Sequence, residues 1–473
     1  MTKLHKNMNR RSFITRSLLA SQGLALRSMA TGLPAAFLLG QPLHAAQQAM
    51  DYKYLIMSLN QNGDPINANG PGMYADPNID PENINDVRRY IQHASALDLP
   101  DMNLGTINGV DITADDFANS TQFFMGGQQV RASKIWSLLP QAWLDHMSCL
   151  NIATGANAHP EFSAVLGFSG AIKGADGSGS EYLPSLLAQE TRSGLATLMA
   201  EPVVLGGKTY ASEGKTISKL NPNDIKSLFV GGYSYMDDLN RIRDKSIDRI
   251  YQQTKISGNK AQMNFIDQYA QSRSQAKQIG ESLNDLITDV NGNDPSNQVK
   301  MAIALFRLNI TPVVTIGLEC GSDNHQDDTL IKETVQSVNT MNVLAQLHQG
   351  LVDANLDDRV NFANLNTFGR TLVRNSNGGR NHNKNHHSMF IYGSNINPGI
   401  IGDLEAVYKK GAVKDIVSMP FNSETGTSVN PDISLDESLA AAGKTLAKSI
   451  GIAQGVIDKR IIGGKVINPV IIS

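Results

Sequence analysis

Tyr52-Lys53-Tyr54-Leu55-Ile56-Met57-Ser58-Leu59, closed by Asn60-Gln61-Asn62-Gly63-Asp64, is the stretch on which the fold turns. A short, mostly apolar run that stops at Asn, Gly and Asp reads as a buried strand entering a loop. The pattern returns at residues 149–154, 202–205, 312–320 and 360–365, each followed by a polar loop containing Gly or His. Helix-length segments lie between these runs, at 134–146, 297–308 and 333–354. Such alternation predicts an α/β fold, a mostly parallel central sheet with helices on both faces. The strands starting near Tyr52, Leu150, Pro312 and Val360 are expected to be neighbours. Their loops should then meet at the carboxyl edge of the sheet, where open α/β sheets bind ligands.

Residues 233–290 depart from this pattern. Asp237, Asp238, Arg241, Arg243, Asp244, Lys245, Asp248 and Arg249 crowd one segment, while Ile279, Leu283, Leu286 and Ile287 keep helical spacing. The region reads as long amphipathic helices, broken near Ser257-Gly258-Asn259, that form an insertion on the sheet domain. Its charge run reads as a solvated helix face.

The N-terminus has its own grammar. Residues 1–46 hold Lys3, Lys6, Arg10, Arg11, Arg16 and Arg27 and no acid, then a moderately apolar stretch and the small-residue end Ala45-Ala46. This is the order of a secretory signal, and Asn9-Arg10-Arg11-Ser12-Phe13-Ile14 is similar to the twin-arginine export motif. A periplasmic or secreted address follows as an expectation, with cleavage near Ala45 or Ala46 and 47–473 as the mature domain. Gln22, Arg27, Ser28 and Thr31 interrupt the apolar stretch, which argues against a stable transmembrane span. With 41 bases and 44 acids in all, the body after Ala46 keeps 35 bases against 44 acids. That acidic balance, without a basic stripe, argues against nucleic acid as a partner. Only Cys149 and Cys320 are present, so no disulfide framework holds the fold, and two buried thiols are favoured over a bridge.

Eight histidines follow the leader, and five of them, His325, His348, His382, His386 and His387, fall between residues 325 and 387. His325 closes Cys320-Gly321-Ser322-Asp323-Asn324-His325, directly after an apolar run. An Asp and a His two residues apart on a loop can reach the same metal ion. The next strand leads into Thr367-Phe368-Gly369-Arg370-Thr371 and then Gly378-Gly379-Arg380-Asn381-His382. Arg370 is suited to an anionic oxygen or to a neighbouring carboxylate. His382, His386 and His387 read as a loop with one functional histidine and two incidental ones.

In this order the segments resemble the domain of unknown function 1501 family, exported bacterial proteins similar to the alkaline phosphatase and sulfatase superfamily. Members carry a Gly-aromatic-Asp-Thr-His segment, a Glu-Phe-Gly-Arg-Thr segment and a Gly-rich loop with Asp-His-Gly. The resemblance spans most of the mature chain and implies an alkaline phosphatase-like domain. It implies Asp64, Asp323, His325 and His382 as metal ligands, with Arg370 and His159 as catalytic residues. Three positions depart from the family pattern, with Thr367 in place of its Glu, Asn381 in place of its loop Asp and Ala158 where a Ser often precedes the histidine.

The superfamily mechanism needs a hydroxyl nucleophile activated by divalent metal. Loss of two carboxylates weakens a cage for hard cations. The expectation is therefore an exported protein with a degenerate site holding at most one divalent ion, zinc, manganese or calcium, and little or no turnover. Its partner would be a small anionic ester or an extracytoplasmic protein. The alternative is a metal-dependent hydrolase of phosphate or sulfate esters.

Overall fold

A computed structural model of the chain describes residues 52–75, 86–99, 103–197, 199–230, 287–318 and 323–472, with parts of 245–263. The expected leader, Cys320 and most of the expected insertion lie outside the described residues. No helix among the described residues is long and apolar enough to cross a membrane.

Seven strands form the central sheet. They are β1 (Tyr54–Asn60), β2 (Met147–Ile152), β3 (Val203–Val204), β4 (Val313–Ile316), β5 (Val360–Asn366), β6 (His387–Tyr392) and β7 (Gly399–Ile401). Their order across the sheet is β7-β2-β6-β5-β1-β4-β3. β1 pairs in parallel with β4 and β5, β3 with β4, and β7 with β2. Only β6 opposes its neighbours, β5 and β2. The fold is thus α/β with a mostly parallel sheet, as the alternation predicts.

β1 explains why these strands read as continuous apolar runs: both of its faces are covered. Tyr54 and Ile56 join Val299 and Met301 of α2 (Pro295–Arg307) and Val338, Met341 and Leu344 of α3 (Ile331–Asp353). Leu55, Met57 and Leu59 point the other way, toward Leu183, Leu186 and Leu187 of α1 (Leu183–Leu195) and Leu439 and Leu446 of α4 (Ser438–Ser449). Each such aliphatic side chain, fully buried, contributes roughly 1.5–3 kcal/mol. Local signals start the helices. Asp294 accepts from Asn297 N ahead of Pro295, and the Asp327 carboxylate accepts from Lys332 N and Glu333 N at the head of α3.

Two expectations need correction. The strand near Leu150 does not adjoin the Val360 strand, because β6 lies between them. That strand, whose apolar part is Met389-Phe390-Ile391-Tyr392, follows the polar His-rich stretch and is missing from the sequence reading. The helix expected at 134–146 is two short pieces, Lys134–Leu138 and Gln141–Leu144. Leu139 is extended between them, as a residue before proline prefers.

The exception in strand direction builds the functional edge. β1, β2, β4 and β5 all end at the carboxyl edge, leading into residues 61–64, 153–159, 323–325 and 367–371. β6 runs oppositely and so begins at that edge with His387, which brings 382–386 to the same place. Cys149 sits within β2 as a buried free thiol whose pKa burial pushes up to about 12.

Candidate metal centre

Three histidines arrive on three different loops. His159 follows β2, His325 follows β4, and His382 stands in a two-strand ladder where Arg370 pairs with His382 and Gly369 with Asn383. The ladder is tight. A Cβ on Gly369 would lie 1.9 Å from the His386 carbonyl and 2.2 Å from Asn67 Nδ2, so no side chain fits. Gly369→Ala is expected to lower stability by about 1–3 kcal/mol through overpacking, read as a lower urea midpoint.

Each histidine is held in the same way. His159 Nδ1 lies 2.9 Å from the Gln61 carbonyl and His382 Nδ1 lies 2.5 Å from the Asn157 carbonyl. A carbonyl only accepts, so both Nδ1 atoms carry the proton. His325 Nδ1 lies 3.1 Å from Asn381 Oδ1, and Asn375 Nδ2 donates to that same oxygen at 3.1 Å. The second donor identifies the Asn381 atom as the oxygen, so His325 Nδ1 is protonated as well. In the neutral ring this leaves each Nε2 with a lone pair.

Two of the Nε2 atoms lie close together. His325 Nε2 and His382 Nε2 are 3.0 Å apart. Two neutral acceptors at that distance repel unless a cation lies between or beside them. His159, Asp323 and His382 each offer a ligand atom within 4.8 Å of the others. Asp323 Oδ1 is also 3.4 Å from His325 Nε2. Burial, followed by the Arg370, His325 and His159 charges, lowers the His382 pKa, while its bond to Asn157 acts the other way.

Aromatic and cationic groups floor the cluster. Phe368 stacks on His382 at 3.9 Å and meets His159 edge-on at 5.1 Å. The Arg370 guanidinium lies over the Phe368 ring at 5.2 Å. Arg370 is fully buried, donates to the Asn62 carbonyl and lies 3.7 Å from Asp323 Oδ1. Burial brings its pKa down to about 10. Of the two partners suited to Arg370, the structure supplies the carboxylate.

The structure therefore brings together His159, Asp323, His325, Arg370 and His382. Asp64 stands one layer lower. Fully buried, it caps the turn Pro65–Asn69 by accepting from Ile66 N at 2.9 Å, and it accepts from Asn364 Nδ2 at 3.1 Å. Its Oδ2 is 3.9 Å from His387 Nδ1, and it bridges to Gly369. Desolvation raises its pKa to about 7. His386 and His387 are fully buried and lowered to about 3 by desolvation. The Thr367 hydroxyl is buried with no hydrogen-bond partner.

The sequence reading misses Arg380. It is fully buried, and all of its N–H groups are engaged. Nε lies 2.6 Å from Glu333 Oε2, Nη1 donates to the Thr371 and Leu372 carbonyls, and Nη2 donates to the Gln92 carbonyl and Glu333 Oε1. Glu333 also accepts from Asn69 and Asn324. This network ties the loop of His382 to the head of α3. The only available signal was an arginine two residues before His382.

Residues 209–423 match the family described as Protein of unknown function (DUF1501), which supports the resemblance over that span. It contains Asp323, His325, Arg370 and His382, and Asp64 and His159 precede it. No curated protein matches the chain.

Proposed function

We propose that the loop cluster holds one divalent ion between His159, His325, His382 and Asp323, and that the chain is an extracytoplasmic hydrolase of phosphate or sulfate esters. The scaffold in this reading is alkaline phosphatase-like, carries the helical insertion near 233–290 and is exported by the twin-arginine leader. One observation supports it above the others: three imidazoles, each donating Nδ1–H to an oxygen behind it, gather at one sheet edge, and His159, Asp323 and His382 offer ligand atoms within 4.8 Å of one another. Metal-binding histidines are oriented in this manner. A nitrogen-rich set with a single carboxylate suits zinc better than calcium, which takes oxygen ligands.

Held by three of these groups, an ion would supply a water of lowered pKa at its open position, in place of the hydroxyl that Ala158 lacks. Asn381 keeps a function in this reading although it is not the family's Asp, since it orients His325. The chain's own residues shape what surrounds the ion. Phe368 excludes water from one side, and Arg370 holds Asp323. The second reading, binding without turnover, draws on that same arginine, whose Nη2 donates to the Asn62 carbonyl and lies 3.7 Å from Asp323 Oδ1.

Calorimetric titration of the metal-free mature chain tests the reading. One zinc per chain is expected, tighter than manganese, with slow release of the phenol from aryl phosphate or sulfate in the zinc-loaded protein. A folded chain that binds neither ion would overturn it, and stoichiometric zinc without turnover would favour the second reading.

A further inference from the structure

Beside the histidine cluster, a cleft of about 590 Å³ opens at the carboxyl ends of β1, β3 and β4. Asn60, Gln61, Asn62, Lys208, Lys219 and Gln336 supply its polar lining, and no acidic residue joins them among the described residues. It shares a wall with the cluster, since the Gln61 carbonyl holds His159 and the Asn62 carbonyl accepts from Arg370.

Backbone geometry sets the lysines there. Gly206 and Gly207 follow β3 and press directly on the neighbouring strand ends. A Cβ on Gly207, at φ +72°, would lie 2.6 Å from the Leu59 carbonyl, and one on Gly317 would lie 2.6 Å from Gly207 N. Only glycines allow this approach, and it carries Lys208 to the carboxyl edge. Lys219 arrives through a parallel bridge with Val204 of β3. Neither lysine has an ion pair among the described residues.

Charge makes the cleft stand out. A body with 35 bases against 44 acids after Ala46 places two lysines, and no acid, beside a candidate metal site. A concave wall lined by one sign of charge concentrates ligands of the other sign. We infer that this cleft is a second anion subsite, in which Lys208 and Lys219 hold a phosphate, sulfate or carboxylate on the far part of a substrate whose ester lies at the histidines. The substrate class is then an ester that carries a second negative group, not a simple monoester. The assignment rests on the hydrolase reading for the role of the ester, but the lysine subsite is measurable without any metal.

The test is calorimetric titration of the metal-free full chain with inorganic tripolyphosphate, in wild type, in the double variant Lys208→Gln/Lys219→Gln and in His382→Ala. Wild type is expected to bind, with affinity falling as salt rises, and the double lysine variant to bind about tenfold more weakly. Lys208→Arg/Lys219→Arg should restore binding, and His382→Ala should leave it unchanged. Equal binding by wild type and the Gln variant, or no binding by wild type, would overturn the subsite. Zinc binding lost with tripolyphosphate binding kept would remove the metal reading alone. The reverse would remove the subsite alone.

Discussion

Arg380→Met is expected to cost about 3–5 kcal/mol of folding stability, because it leaves the buried Glu333 carboxylate without its ion-pair partner. Both side chains are almost fully shielded, Arg380 with 1% and Glu333 with 0% exposure, and their shortest contact is 2.6 Å. Met replaces the volume of the arginine stem but none of its five donors. The carbonyls of Gln92 and Thr371 would lose the arginine donor at the same time, while that of Leu372 keeps Gln92 N. Urea unfolding followed by circular dichroism reads the loss directly. Lys465 and Asp432 provide the contrast. Their 2.8 Å contact is solvent-exposed, so Lys465→Met should hardly move the midpoint. An Arg380→Met midpoint as high as that of Lys465→Met would show that the network does not hold the loop.

The second large effect concerns the ion. Removing an oriented histidine takes away a ligand, whereas removing the group behind it only loosens that ligand. Losses of the latter kind run to about 10–100-fold in metal affinity. His382→Ala is therefore expected to weaken zinc binding by more than about 100-fold, and Asn381→Ala by about 10–100-fold. Asn381→Asp should raise affinity by up to about tenfold, since a carboxylate is the stronger acceptor for His325 Nδ1–H and makes Nε2 more basic. The route of that gain is particular to this structure, in which Asn381 sits behind a ligand. Equal zinc affinity in wild type and His382→Ala would remove the cluster as a metal site.

β1 was legible because a strand covered on both faces is apolar along most of its length, and β5 because Val360, Phe362, Ala363 and Leu365 outweigh its buried Asn361 and Asn364. β6 was not, since His387 and Ser388 open it with polar residues and strand direction leaves no trace in composition. Pro140 did carry a legible signal, which outweighs helix-like spacing at 134–146. Among site residues, Asp323 and His325 declared themselves by following a strand. The meeting of His159 with His382 depends on the register of β2 against β6, with Ile152 opposite His387, and this is a long-range fact. Asn381 read as a loss relative to the family, and only the position of Asn375 reveals its oxygen as the support of His325.

The strand order has a consequence for how the molecule comes into being. β1 ends at Asn60, and its neighbours β4 and β5 begin about 250 and 300 residues later. At synthesis rates of about 5–20 residues per second, the first strand waits roughly 13–50 s for β4 to be made. During that time both of its hydrogen-bonding edges and both of its apolar faces are open, the condition in which strands pair with the wrong chain. The sheet has no early, self-sufficient half. Its centre closes only after β2 and β3 have been made, so folding is slow by topology, and the nascent chain depends on whatever shields β1 until its neighbours emerge.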